Sequence, residues 1–217
     1  MSNFGVIIDR AHGINVAGKR SPDAAKNLKD SPYYFIEYEW SSEMCKVLAA
    51  KLKTLGIRTE FTVSPDDPLE PGLSERANIA NNIIKGNPDT HWVFISLHAD
   101  YYGDPLVWNN VTGYSIYTTK GTTNSDKLAE CILKHARVDL PHFGKAVRTY
   151  KNGHIEQNFT VIFKSICPAV LAENMFYSNK KDIEFLKSEE GKKCIADFHS
   201  YGIVDYFNQM YDAGIKY

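Results

Sequence analysis

Three short apolar runs of the chain each lead into a side chain that can bind a metal ion or move a proton: GVIID precedes His12, WVFISL precedes His98, and PAVLA precedes Glu173. Imidazole nitrogens and carboxylate oxygens are the donors of catalytic zinc sites, in which three protein ligands leave one position open for water. Scattered ligands of this kind converge where strands end along one edge of a sheet. His12 follows Asp9, Arg10 and Ala11 and reads either as a ligand or as a hydrogen-bonded turn residue; Asp9, three positions upstream, is placed to orient its ring. His98 closes a run of bulky apolar residues that has Ser96 inside it. Two histidines and one carboxylate would complete an open three-ligand set.

The carboxylate is sought on a helix. A helical pattern runs from near Tyr34 to Leu55, stops at Gly56, and spaces Met44, Leu48, Leu52 and Leu55 for one apolar face. Glu37 lies three residues before Trp40, seven before Met44 and eleven before Leu48, so it shares the buried stripe. Glu39 and Glu43 fall on an outer face with Lys46, where weak solvated ion pairs are the ordinary outcome. An unpaired carboxylate on the core side costs several kcal/mol, so Glu37 requires a cation: a metal, Arg10 or Arg20. PAVLA carries Glu173 and Asn174 out of a buried strand into a turn with Met175 and Phe176. There Glu173 is either a helix cap or the general base for a zinc-activated water, whose pKa falls to about 7.

The elements that position these residues alternate. Strand-like runs occur at Phe4–Asp9, Arg58–Val63, Trp92–Ala99, Gly113–Thr119, Phe159–Phe163 and Ala169–Ala172. Further helical patterns cover Leu73–Ile84, Ser125–Val138, Asp182–Glu189 and Lys192–Met210. This order predicts an α/β layered sheet in one domain spanning residues 1–217, without linker or repeat. Long loops are expected at His12–Pro32, Tyr101–Val111 and Pro141–Gln157, where loops after strands build and gate sites.

Composition narrows the function classes. Lys plus Arg number 25 against 26 Asp plus Glu, leaving no broad positive field for nucleic acid or anionic lipid. No apolar run reaches bilayer length, and Met1–Arg10 carries no secretory pattern, so cytosolic synthesis and retention until release are expected. Cys45, Cys131, Cys167 and Cys194 show no CxxC spacing and read as small buried hydrophobes rather than as a zinc or redox set.

In the segments IIDRAHG, IEYEWSSEMCKVLAAKL, ISLHAD and CPAVLAENMFYSN the chain resembles zinc-dependent N-acetylmuramoyl-L-alanine amidases of the amidase-3 type. That family has a histidine in a D-x-G-H-G turn, a glutamate opening the next long helix, a histidine in S-x-H-A and a glutamate in P-A-V-L-x-E. The resemblance runs from Phe4 to Asn179; Arg10 and Ala11 depart from the family's turn. It implies a twisted, mostly parallel α/β sheet with helices on both faces. It also implies zinc ligands at His12, Glu37 and His98, with Glu173 as the catalytic carboxylate; aligning the family's helix back from Gly56 again selects Glu37 over Glu39. The implied reaction is hydrolysis of the bond between N-acetylmuramic acid and L-alanine in peptidoglycan. The implied setting is a monomeric, phage- or prophage-type lysin.

Arg10, His154, Lys164 and Asn174 are candidate oxyanion donors. His142 and His154 read as substrate contacts or exposed residues, and His91, His135 and His199 as structural. A zinc peptidase of the same ligand set is the alternative enzyme. A wall-binding protein that has lost turnover is the non-enzymatic alternative, although binding alone needs no base. A Cys-His hydrolase is disfavoured because no cysteine is spaced to a histidine.

Overall fold

The computed structural model describes residues 3–148, 150 and 153–217. Thr149, Lys151 and Asn152, in the loop expected at Pro141–Gln157, lie outside them. The strands are β1 (Phe4–Arg10), β2 (Arg58–Phe61), β3 (His91–Asp100), β4 (Ser115–Thr118), β5 (Ile155–Glu156) and β6 (Ala169–Phe176). The helices are α1 (Pro22–Ala25), α2 (Glu37–Thr54), α3 (Leu73–Gly86), α4 (Asn124–Asp139), α5 (Thr160–Phe163), α6 (Lys180–Lys187) and α7 (Glu189–Tyr211).

The strands form one sheet in the order β2-β1-β3-β6-β4-β5. Every pairing is parallel except β4 against β6. Alternate side chains of a strand face opposite layers. Val6, Ile8, Ile95, Leu97, Val170 and Ala172 pack with α2, α4, α6 and α7 in the larger core. Ile7, Phe94 and Leu171 face the other way, onto Ala80 of α3 and Val161 and Ile162 of α5. Helices therefore cover both faces, as a mostly parallel sheet demands.

That alternation places the polar residues. Asp9 continues the face of Ile7, Ser96 and His98 continue that of Phe94, and Glu173 continues that of Leu171. Asp9 pairs in register with Ser96, and His98 with Glu173. The second layer is thus apolar at one end of the strands and polar at the other.

Three expectations are corrected. Residues 159–163 are a helical turn, not a strand: Phe163 and Lys164 N–H donate to the carbonyls of Phe159 and Thr160, burying Val161 and Ile162. A four- or five-residue apolar run does not distinguish the two by period. The helix expected from Tyr34 begins at Glu37, because Ile36 is extended and bridges to Arg20. Glu173 does not leave its strand: β6 continues to Phe176, held by β3 on one side and β4 on the other.

Candidate metal centre and its cleft

Glu37 opens α2, whose stripe of Trp40, Met44, Leu48 and Leu52 is buried in the larger core. The same stripe buries Glu37 to 2 % exposure. Its partners are imidazoles, since Oε1 lies 3.1 Å from His98 Nδ1 and Oε2 lies 3.5 Å from His12 Nε2. Ala99 N–H also donates to Oε1 at 3.3 Å. Arg10 does not pair with it: its guanidinium donates to the Asp67 and Leu69 carbonyls and to Ser42 Oγ. Among the described residues, Arg20 makes no ion pair with Glu37 either. Glu39 is exposed, and Glu43 pairs with Lys192.

His12 lies just beyond β1 with a left-handed backbone, φ 53°. Its ring meets that of His98 edge to face at 5.1 Å between centroids. One donor atom from each of His12, Glu37 and His98 falls within 4.8 Å of the others.

The hydrogen-bond network decides which nitrogens are free. Ser96 Oγ donates to Asp9 Oδ2 at 2.6 Å, so toward His98 it can only accept, from Nε2–H at 3.1 Å. The bare Nδ1 of His98 then points at Glu37. Burial, with the charge of Arg76, pushes the His98 pKa down to about 3, which keeps the ring neutral. Glu70 Oε2 lies 3.7 Å from His12 Nδ1 and favours a proton there, leaving Nε2 bare toward Glu37.

Asp9 therefore orients His98 through Ser96, not His12 as its sequence position suggested; Glu70 faces His12 instead. Arg76, 1 % exposed, ion-pairs with both carboxylates at 3.3 Å. Glu70 has no periodic signature, being on the loop before α3. Ser96 within an apolar strand, and Arg76 on the stripe of Ala77 and Ala80, were visible signals.

Two bare imidazole nitrogens facing a buried carboxylate repel unless a cation joins them. A nitrogen–oxygen donor set with both rings oriented from behind suits a divalent ion such as zinc. Burial pushes the Glu37 carboxyl above its ordinary range, against the pull of His12, Lys19 and the Ala99 N–H.

Glu173 shares the cleft, a cavity of about 320 Å³ also lined by Lys19, Asp100, Tyr101 and Tyr177. Its Oε2 is buried with no hydrogen-bond partner among the described residues. Burial, then the charges of Glu37 and Asp100, raise its carboxyl well above the usual range, opposed by Lys19. With one oxygen unbonded beside the donor cluster, the carboxyl is placed to accept and return a proton.

The four oxyanion candidates are elsewhere. Arg10 is committed to loop carbonyls, Lys164 donates to Ser74 Oγ, and Asn174 donates to the carbonyls of His98 and Ala172. His154 is buried 3.5 Å from Asp126, and His142 lines a different cavity. His199 is bonded to Ile195 O and Tyr114 Oη, and His135 to Asp205.

Comparison with known proteins gives a consistent picture. A family model, Amidase_3, described as N-acetylmuramoyl-L-alanine amidase, matches residues 6–205. The N-acetylmuramoyl-L-alanine amidase CwlM of Bacillus licheniformis is 31 % identical over 153 residues, 67 % of this chain. The match spans half of that protein's length (50 %). An N-acetylmuramoyl-L-alanine amidase structure from Clostridium difficile 630 superposes with a TM-score of 0.75 at 22 % identity, covering 95 % of this chain and 98 % of the other. The catalytic domain of CwlV from Bacillus (Paenibacillus) polymyxa var. colistinus superposes with a TM-score of 0.73 at 24 % identity, over 96 % and 99 %. At these identities the two structures share the fold.

Proposed function

The chain belongs to the Amidase_3 family of N-acetylmuramoyl-L-alanine amidases, and from that premise we propose that it hydrolyses the amide between N-acetylmuramic acid and L-alanine in peptidoglycan. In this reading residues 1–217 act as one catalytic domain, and His12, Glu37 and His98 hold zinc. The ion, when bound, supplies a Lewis acid that polarises the scissile carbonyl and makes water acidic near neutral pH.

The protein's own groups do the rest. Glu173 takes a proton from the attacking water through its unbonded oxygen. It returns that proton to the departing alanine nitrogen as the carbon–nitrogen bond breaks, leaving a lactyl carboxylic acid and a free amine, and the acid's remaining proton then passes to the amine to give carboxylate and ammonium. Asp9 through Ser96, and Glu70 directly, hold the rings in the tautomers that ligation requires.

One observation carries the reading: a His–Glu–His donor cluster, buried at Glu37 and His98 and partly open at His12, shares a cleft with a carboxylate oxygen that bonds nothing among the described residues. Mass spectrometry of peptidoglycan digests, made with metal-loaded and chelator-treated protein, tests it. New L-alanine amino termini only in the loaded sample are expected; cleavage inside the stem peptide would identify a peptidase instead.

Two substitutions separate the roles. Glu37→Ala abolishes zinc retention whereas Glu39→Ala does not, as metal analysis of the purified variants would show. Glu173→Gln keeps its zinc and loses nearly all turnover; substantial residual activity would exclude it as the base.

A further inference from the structure

Attack on an amide carbonyl moves its π electrons onto oxygen, here in a cleft lined by three acidic residues, Glu37, Asp100 and Glu173. Lys19 is the one lysine or arginine among the lining residues. The other basic side chains near the site are engaged, Arg10 with loop carbonyls and Arg76 with Asp9 and Glu70. Lys19 makes no ion pair among the described residues, unlike Lys46, Lys51, Lys145 and Lys192, which are matched with carboxylates. Its charge nonetheless acts on Glu37, Asp100 and Glu173 at once.

The backbone explains how such a residue stays in place. The Lys19 carbonyl accepts from Glu37 N–H at 3.0 Å, and Arg20 bridges to Ile36. Gly18 precedes it with φ 81°, a conformation that suits glycine and turns the chain into this bridge. The strap is therefore fastened to the first residue of α2, which carries the carboxylate of the donor cluster.

We propose that Lys19 is a further catalytic residue, whose ammonium stabilises the negative charge that develops on the carbonyl oxygen of the scissile amide. This rests on the amide-hydrolysis reading above. As water adds to the carbonyl carbon and gives its proton to Glu173, the π pair settles on the oxygen beside Lys19. On collapse the carbonyl reforms, the carbon–nitrogen bond breaks, and the nitrogen takes the proton from Glu173.

The test compares wild type, Lys19→Met and Lys19→Arg on a soluble muropeptide, recording kcat and KM separately together with zinc content. Muropeptide binding is also measured in the Glu173→Gln background, with and without Lys19→Met. Loss of one oxyanion donor lowers kcat about 100-fold. The expected result is that drop in Lys19→Met, with unchanged KM, zinc and binding, and partial recovery in Lys19→Arg. A raised KM with kcat retained would mean that Lys19 docks a substrate charge; lost zinc would mean that it holds the site together; no change would mean that it is a surface residue. Each of these overturns the proposal. A loaded wild type that releases no L-alanine amino termini would instead refute the reaction itself.

Discussion

At the scale of single residues, the donor cluster depends on side chains that never enter it. Glu70 faces His12 from behind, and Ser96 does so for His98. Removing such a partner costs about 10- to 100-fold in metal affinity, so Glu70→Ala should bind zinc in that proportion more weakly, as competition with a chelating dye would measure. That His12, His98 and Glu173 stand near strand ends was legible from the apolar runs beside them, and the burial of Glu37 from its helical stripe; the roles proposed for them came from the family resemblance. Glu70 and Lys19 were not legible, because a loop carries no period and their neighbours come from distant sequence. Another residue-scale prediction concerns His199, whose pKa burial lowers from 6.5 to about 3. Between those values the unfolded chain binds a proton that the native ring refuses, so stability falls as pH drops through this window by about 1.4 kcal/mol per unit. Denaturant midpoints from pH 4 to 6 should show a shallower decline in His199→Gln.

At the scale of elements, α3 does more than cover the sheet. It brings Arg76 under the site, where one guanidinium neutralises Asp9 and Glu70 and donates to the Arg10 carbonyl. Breaking a buried ion pair from one side costs about 3–5 kcal/mol, because the abandoned charges stay buried. Arg76→Leu should lose that much in urea unfolding, and Arg76→Lys should recover only part, since an ammonium lacks the fork that reaches both carboxylates. The long helices were legible because their stripes persist over several turns. The turn at residues 160–163 was misread, and β5, two residues long, was missed, because neither is long enough to express a period.

At the scale of the whole molecule, the α/β alternation was evident in the chain and appears as one six-stranded sheet. The reversed direction of β4 was not evident, since nothing in four residues encodes which neighbour they join. Among the described residues no helix is long and apolar enough to cross a membrane. A donor cluster that repels itself when empty should couple metal binding to global stability. Zinc at 100 times its dissociation constant should raise unfolding free energy by about 2.7 kcal/mol. The increment should vanish in His12→Ala, as thermal melts with and without zinc would show.

Glu173 is locked between two strands, while Lys19 and His12 ride on a loop. The pocket consequently has one wall set by sheet pairing and one set by a loop that is tied down at Lys19 and Arg20. Substitution at Ala17, which lines that second wall, should reshape the cleft while Glu173 stays where the sheet holds it.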